Sequence, residues 1–199
     1  MIKNKFKLLC QNFTNDENLI HQLWQEIEIA HSAENRYYHT LKHLEQLYVE
    51  LPKLDVVTEF SIFYHDLVYD ASKDNNEKES AKLSEERLNL LGVPPKLIKK
   101  ITQLINETKT HEPSSQTNAL FLDADLAILG SSKKVYQTYI EYIHKEYAIY
   151  DDITYKNGRK KVLKNFLKKS KIYQSSYFYD KYEKQAQQNI LIEYNSLIT

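Results

Sequence analysis

Glycine and proline are scarce in this chain, at 3 and 4 among 199 residues. Tight turns are therefore few, and an all-β fold, which needs a turn roughly every ten residues, is excluded. Cysteine occurs once, at Cys10, so neither an intramolecular disulfide nor a cysteine zinc cluster can form. There is no surplus of either charge: Lys+Arg total 27, Asp+Glu total 27, and the formal net charge is zero. A protein built to grip nucleic acid or an anionic membrane needs a positive excess, so neither is an expected partner. No window approaches the ~18 consecutive apolar residues of a membrane span, and the apolar run within MIKNKFKLLCQNF is too short for a secretory signal. A cytoplasmic, reducing setting is the expectation. What remains is a chain 42% apolar, rich enough to fold around a core and of a size for one domain.

Helical periodicity fills almost all of it. Thr14 and Glu17 have capping-box spacing, and Leu19, Ile20, Leu23, Trp24 and Ile27 form the stripe that follows. The pattern predicts helices over about Tyr38 to Leu51, stopped by Pro52, and over Val56 to Tyr69. After a polar loop at Asp70 to Asn76, a helix runs to Leu91, where Gly92 ends it. Pro94-Pro95 opens the next, and HEPSSQT (His111 to Thr117) is the clearest loop. The apolar run ALFLDADLAILG then makes about three buried turns. Further helices are expected at Lys133 to Tyr150, Arg159 to Lys169 and Ser176 to Tyr194. The reading is all-α: one helical bundle of eight or nine helices spanning 1–199.

Three polar stations interrupt this apolar pattern. In RYYHTLKHL, His39 and His43 are four apart, stacked on one helical face with Arg36 on the same side. In FYHDLVYD, His65 and Asp66 sit among Phe60, Phe63, Tyr64, Leu67 and Val68, where an ionised group is costly unless paired or coordinated. Asp123 and Asp125 sit in an equally apolar run. One divalent cation held by His43, His65, Asp66 and Asp125, from separate helices of a bundle, explains all of them. Water on such a cation loses a proton near neutral pH. His21, His31 and His144 have no partner at telling spacing and read as surface residues. The run Lys156 to Lys171 reads as an amphipathic helix with a solvated basic face, from which Arg159 or Lys160 can turn inward.

The order His … His-Asp … Asp resembles the HD-domain superfamily of metal-dependent phosphohydrolases. Tyr38-His39 with His43 is similar to the YHNxxH motif of cyclic-nucleotide phosphodiesterases, and Ala124-Asp125-Leu126 to the element holding their last metal-binding Asp. The chain also looks like a bacterial-type group of predicted HD phosphohydrolases of about 200 residues. That likeness rests on RYYHTLKHL, FYHDLVYD, Asn76-Glu77 with Ser80-Ala81, Thr108 with His111, LDADLAILG, GRKKVLKNFL and the Glu183, Ala186, Asn189 helix. It covers roughly residues 20–195. Thr40 stands where the phosphodiesterases have Asn, and no purine pocket is evident, so cyclic nucleotides are not implied.

The resemblance implies His43, His65, Asp66 and Asp125 as ligands to one or two divalent ions (Mn, Mg, Fe, Co, Ni or Zn). It implies His39 as the acid that protonates the leaving group, with the exchange of roles between His39 and His43 left open. Arg36, Glu77 and His111 become substrate-binding candidates, Lys109 a further source of positive charge, and Asp70 or Glu77 a group that orients water. The implied reaction is hydrolysis of a phosphoester in a small nucleotide-like or other phosphorylated metabolite. A homodimer is one assembly open to it. Two rival functions stay open: an HD-type di-iron oxygenase, and a non-catalytic helical binding module with a structural metal.

Overall fold

The computed structural model describes residues 1–198. Among them are ten α-helices, one 3₁₀ turn and no strand. The fold is all-α, with a helix count slightly above the expected eight or nine. No helix among the described residues is long and apolar enough to cross a membrane. Contacts gather the chain into two compact units, Met1–Glu112 and the part from Pro113 onward.

The first unit holds α1 (Ile2–Cys10), α2 (Glu17–His31), α3 (Leu41–Glu50), α4 (Val56–Tyr64), α5 (Asn76–Leu90) and α6 (Pro95–Glu107). At its centre is α4, in contact with α1, α3, α5 and α6. Its sequence, VVTEFSIFY, buries Phe60, Ile62, Phe63 and Tyr64, as a helix apolar on nearly all sides must. Asp55 caps it, accepting from the Thr58 amide at 2.8 Å. The opening segment is also helical: Ile2, Phe6 and Leu9 recur at helical spacing and are buried in α1. Phe6 meets the Phe63 ring edge-on at 4.9 Å, a contact worth about 1 kcal/mol beyond its area. Cys10 is fully enclosed beside it, and burial pushes its thiol up to about 12, leaving it unreactive.

Several boundaries differ from the expected ones. Helix α2 is capped by Asp16, which accepts from the Asn18 and Leu19 amides at 3.0 Å, not by a Thr14–Glu17 box. Glu17 turns instead to Lys7 at 2.8 Å. Helix α3 starts at Leu41, so Tyr38, His39 and Thr40 precede it in a bent stretch. Helix α4 ends at Tyr64 with His65 at its cap, and residues 66–70 run on without helical structure. The latter change follows from where the backbone of residues 66–70 is paired. Arg36 donates to the Asp66 and Leu67 carbonyls, and the Ser80 hydroxyl bonds both the amide and the carbonyl of Val68. Asn76 does the same for Asp70. With side chains supplying these bonds, the segment has no need of a helical ladder. Gly92, at φ +75°, ends α5 as expected.

The second unit holds α7 (Gln116–Asp125), a 3₁₀ turn (Leu126–Gly130), α8 (Lys133–Glu146), α9 (Asp152–Lys168) and α10 (Ser176–Ser196). Here α10 packs on α7, α9 and the 3₁₀ turn. Buried polar side chains fix its connections. Asp123 accepts from the Gln174 and Ser175 amides and the Ser175 hydroxyl at 2.5–2.9 Å, so it faces the turn leading into α10. Glu183 accepts from the Ile172 and Tyr173 amides. Asn189 donates to the carbonyls of Leu129 and Ser131. Arg159 does turn inward, but to Glu193, at 2.6 and 3.0 Å, while most of the surrounding lysines are exposed. Gly130 lies so close to α10 that a Cβ there would come within 2.5 Å of the Tyr182 Cβ and 2.8 Å of its carbonyl oxygen.

Candidate metal centre

The end of α4 and the first turn of α3 deliver three donors to one place. His43, in that first turn, and His65, at the α4 cap, approach through their Nε2 atoms at 3.2 Å. Asp66 Oδ2 lies 3.0 Å from His65 Nε2 and 3.8 Å from His43 Nε2. One ligand atom from each of His43, His65 and Asp66 falls within 4.8 Å of the others, a grouping able to hold a metal ion. The imidazoles are sealed, with side chains 3% and 0% exposed, whereas Asp66 is 19% exposed. The set therefore has a buried nitrogen side and a carboxylate side that solvent reaches.

The donor atoms suit a cation here. His65 Nδ1 lies 3.1 Å from the Ile62 carbonyl; a neutral ring donating there leaves Nε2 as a lone-pair donor. A ring lone pair and a carboxylate oxygen at 3.0 Å repel unless a proton or a metal ion lies between them. Two imidazole nitrogens and one carboxylate oxygen suit Zn, Mn, Fe, Co or Ni. The residues present thus fit a divalent cation.

His39 is placed beside the cluster and not on the α3 face. Its Nε2 is 3.9 Å from Asp66 Oδ2, and its side chain is 19% exposed. Its ring lies 5.9 Å from that of His43 and 4.4 Å from that of Tyr69. The structure brings His39 and His43 together by the bend before α3, not by helical stacking. Arg36 is buried, and the Nη donors expected to face a phosphate go to three carbonyl oxygens: His39 at 3.2 Å, Asp66 at 2.7 Å and Leu67 at 3.0 Å.

Glu77 occupies the first turn of α5, half-buried. Asp70 accepts from the Ser72 amide and hydroxyl, and these bonds hold its carboxyl below the usual range. Lys109 donates to the Asp74 carbonyl. His111 follows α6 with its amide on the Glu107 carbonyl at 2.9 Å and a left-handed φ of 52°, an uncommon conformation for a residue with a Cβ. Asp125 is the last residue of α7, in the second unit, and is half-buried.

One buried histidine was missed. His31, read as a surface residue, is 1% exposed, while His21 and His144 are exposed as expected. Its Nδ1 contacts the Ile27 carbonyl at 2.9 Å. Burial, aided by the charge of Arg36, pushes it down to about 3, so it stays neutral. The signal was present, since His31 extends the stripe of Ile20, Leu23, Trp24 and Ile27 by one helical turn. No protein-family model, curated protein or solved structure matches the chain.

Proposed function

We propose that the chain is a metal-dependent phosphohydrolase acting on a small nucleotide-like or other phosphorylated metabolite. The observation that carries this reading is the convergence of His43 Nε2, His65 Nε2 and Asp66 Oδ2 within 4.8 Å. The motif order, which resembles that of HD-domain phosphohydrolases, supplies the reaction class. His43, His65 and Asp66 would hold the ion, which when bound polarises a phosphoryl oxygen and acidifies bound water.

The protein's own groups have separable tasks. The Ile62 carbonyl keeps the His65 proton on Nδ1 and aims Nε2 inward. Asp66 neutralises positive charge on the solvent-facing side. His39, beside that same carboxylate and reachable by a small molecule, holds a proton at Nε2 for the departing oxygen. Histidine suits this task near neutral pH, and general acid catalysis contributes roughly 10²–10⁴-fold.

The test is a panel of phosphorylated compounds assayed with Mn²⁺, Mg²⁺, Co²⁺, Ni²⁺ and Fe²⁺, with Asp66→Ala as control. Phosphate release by the wild type that disappears in the variant supports the reading; no release with any metal contradicts it. Two irons per chain with redox-active spectra would point to an oxygenase. Bound metal with no turnover would point to a binding module.

A further inference from the structure

We infer that Arg36 is a positioning residue of this centre, and that its guanidinium sets the separation between the proton donor and the metal ligands. The inference rests on the proposed phosphohydrolase reading and assigns Arg36 a role distinct from contact with substrate.

Three observations lead to it. Arg36 Nη1 donates both to the His39 carbonyl at 3.2 Å and to the Asp66 carbonyl at 2.7 Å, and Nη2 donates to the Leu67 carbonyl at 3.0 Å. One planar group thereby joins two chain segments remote in sequence, one carrying His39 and the other carrying Asp66. Neither segment is helical at these residues, so no backbone ladder holds them in register. Finally, the guanidinium lies 5.3 Å from the centre of the Tyr69 ring, and that ring is 4.4 Å from the ring of His39. Arg36 thus fixes His39 both through its carbonyl and through the aromatic surface its imidazole rests on.

The chemistry is particular to arginine. A charge-assisted fork donates to three carbonyls at once, whereas a lysine ammonium is a compact point donor on a flexible stem. Arg36 is only 8% exposed, so a lysine there would leave carbonyls unpaired.

The test uses the full chain with Arg36→Lys and Arg36→Ala, and Co²⁺ as the probe, followed by visible absorption. Both variants should bind Co²⁺ at least tenfold more weakly, with an altered spectrum. Millimolar methylguanidinium should restore the spectrum of Arg36→Ala, and methylammonium should not. In the metal-free proteins the amide resonances of His39, Asp66 and Leu67 should move in both variants. An Arg36→Lys protein with wild-type Co²⁺ affinity, spectrum and amide shifts overturns the inference. So does the failure of both variants to fold, which would make Arg36 a folding residue only. A wild type that takes no Co²⁺ overturns the metal reading instead, and the amide shifts alone then decide the role of Arg36.

Discussion

Acidification should destabilise this protein through His31 by an amount that one substitution isolates. The side chain is 1% exposed, and its Nε2 has no hydrogen-bond partner among the described residues. Burial first, then the Arg36 charge, hold its pKa near 3 instead of the ordinary 6.5. The folded state thus excludes a proton that the unfolded chain binds. Stability from this group is complete above the unfolded value of 6.5 and falls as pH drops toward about 3. Between about pH 7.5 and pH 5 the linkage amounts to about 2 kcal/mol, and the full shift is worth roughly 4–5 kcal/mol. Urea unfolding across that range, compared between wild type and His31→Asn, reads it directly. Asparagine keeps a donor near the Ile27 carbonyl but does not titrate. The wild-type curve should fall more steeply by that amount; parallel curves would refute the reasoning.

Gly130→Ala should destabilise by about 2–3 kcal/mol in chemical unfolding, because the new Cβ would meet the Tyr182 carbonyl at 2.8 Å and backbone cannot swing aside. Arg159→Met leaves Glu193 and its Tyr136 partner enclosed without the cation, at a cost of about 3–5 kcal/mol; pairing it with Glu193→Gln should recover part of that loss in a double-mutant cycle. His111→Gly relieves the φ of 52° and should stabilise by about 0.5–1 kcal/mol in thermal unfolding. If His111 also serves the substrate, the same variant should lose turnover while gaining stability.

The sequence made some levels of this structure legible and hid others for identifiable reasons. Helices α5 and α6 were readable because Gly92 and the Pro94-Pro95 pair punctuate them locally. The convergence of His43, His65 and Asp66 was readable because polar groups embedded in apolar stretches demand a shared partner. The ends at Thr40 and Tyr64 were not, since Leu67 and Val68 continue an apolar pattern. What stops the helix there is backbone pairing by Arg36, Asn76 and Ser80 from elsewhere in the unit. Such tertiary satisfaction leaves no periodic trace. The same holds for Arg36 itself: nothing in RYYHTLKHL shows that its donors go to carbonyls. His31 is legible in principle, as the next position on a buried stripe, although it has no partner histidine at telling spacing.

The claim on which the functional account turns is that His43, His65 and Asp66 hold a divalent ion. Metal content after equilibrium dialysis against Mn²⁺ or Co²⁺ measures it, on the wild type and on His65→Asn with its fold checked by circular dichroism. One or two ions per wild-type chain are expected, with loss of an ion in the variant. At a free metal concentration about 100 times the dissociation constant, roughly 2.7 kcal/mol of added stability is also expected, confined to the wild type. A folded wild type that retains no ion, or a variant that retains as much, would contradict the claim.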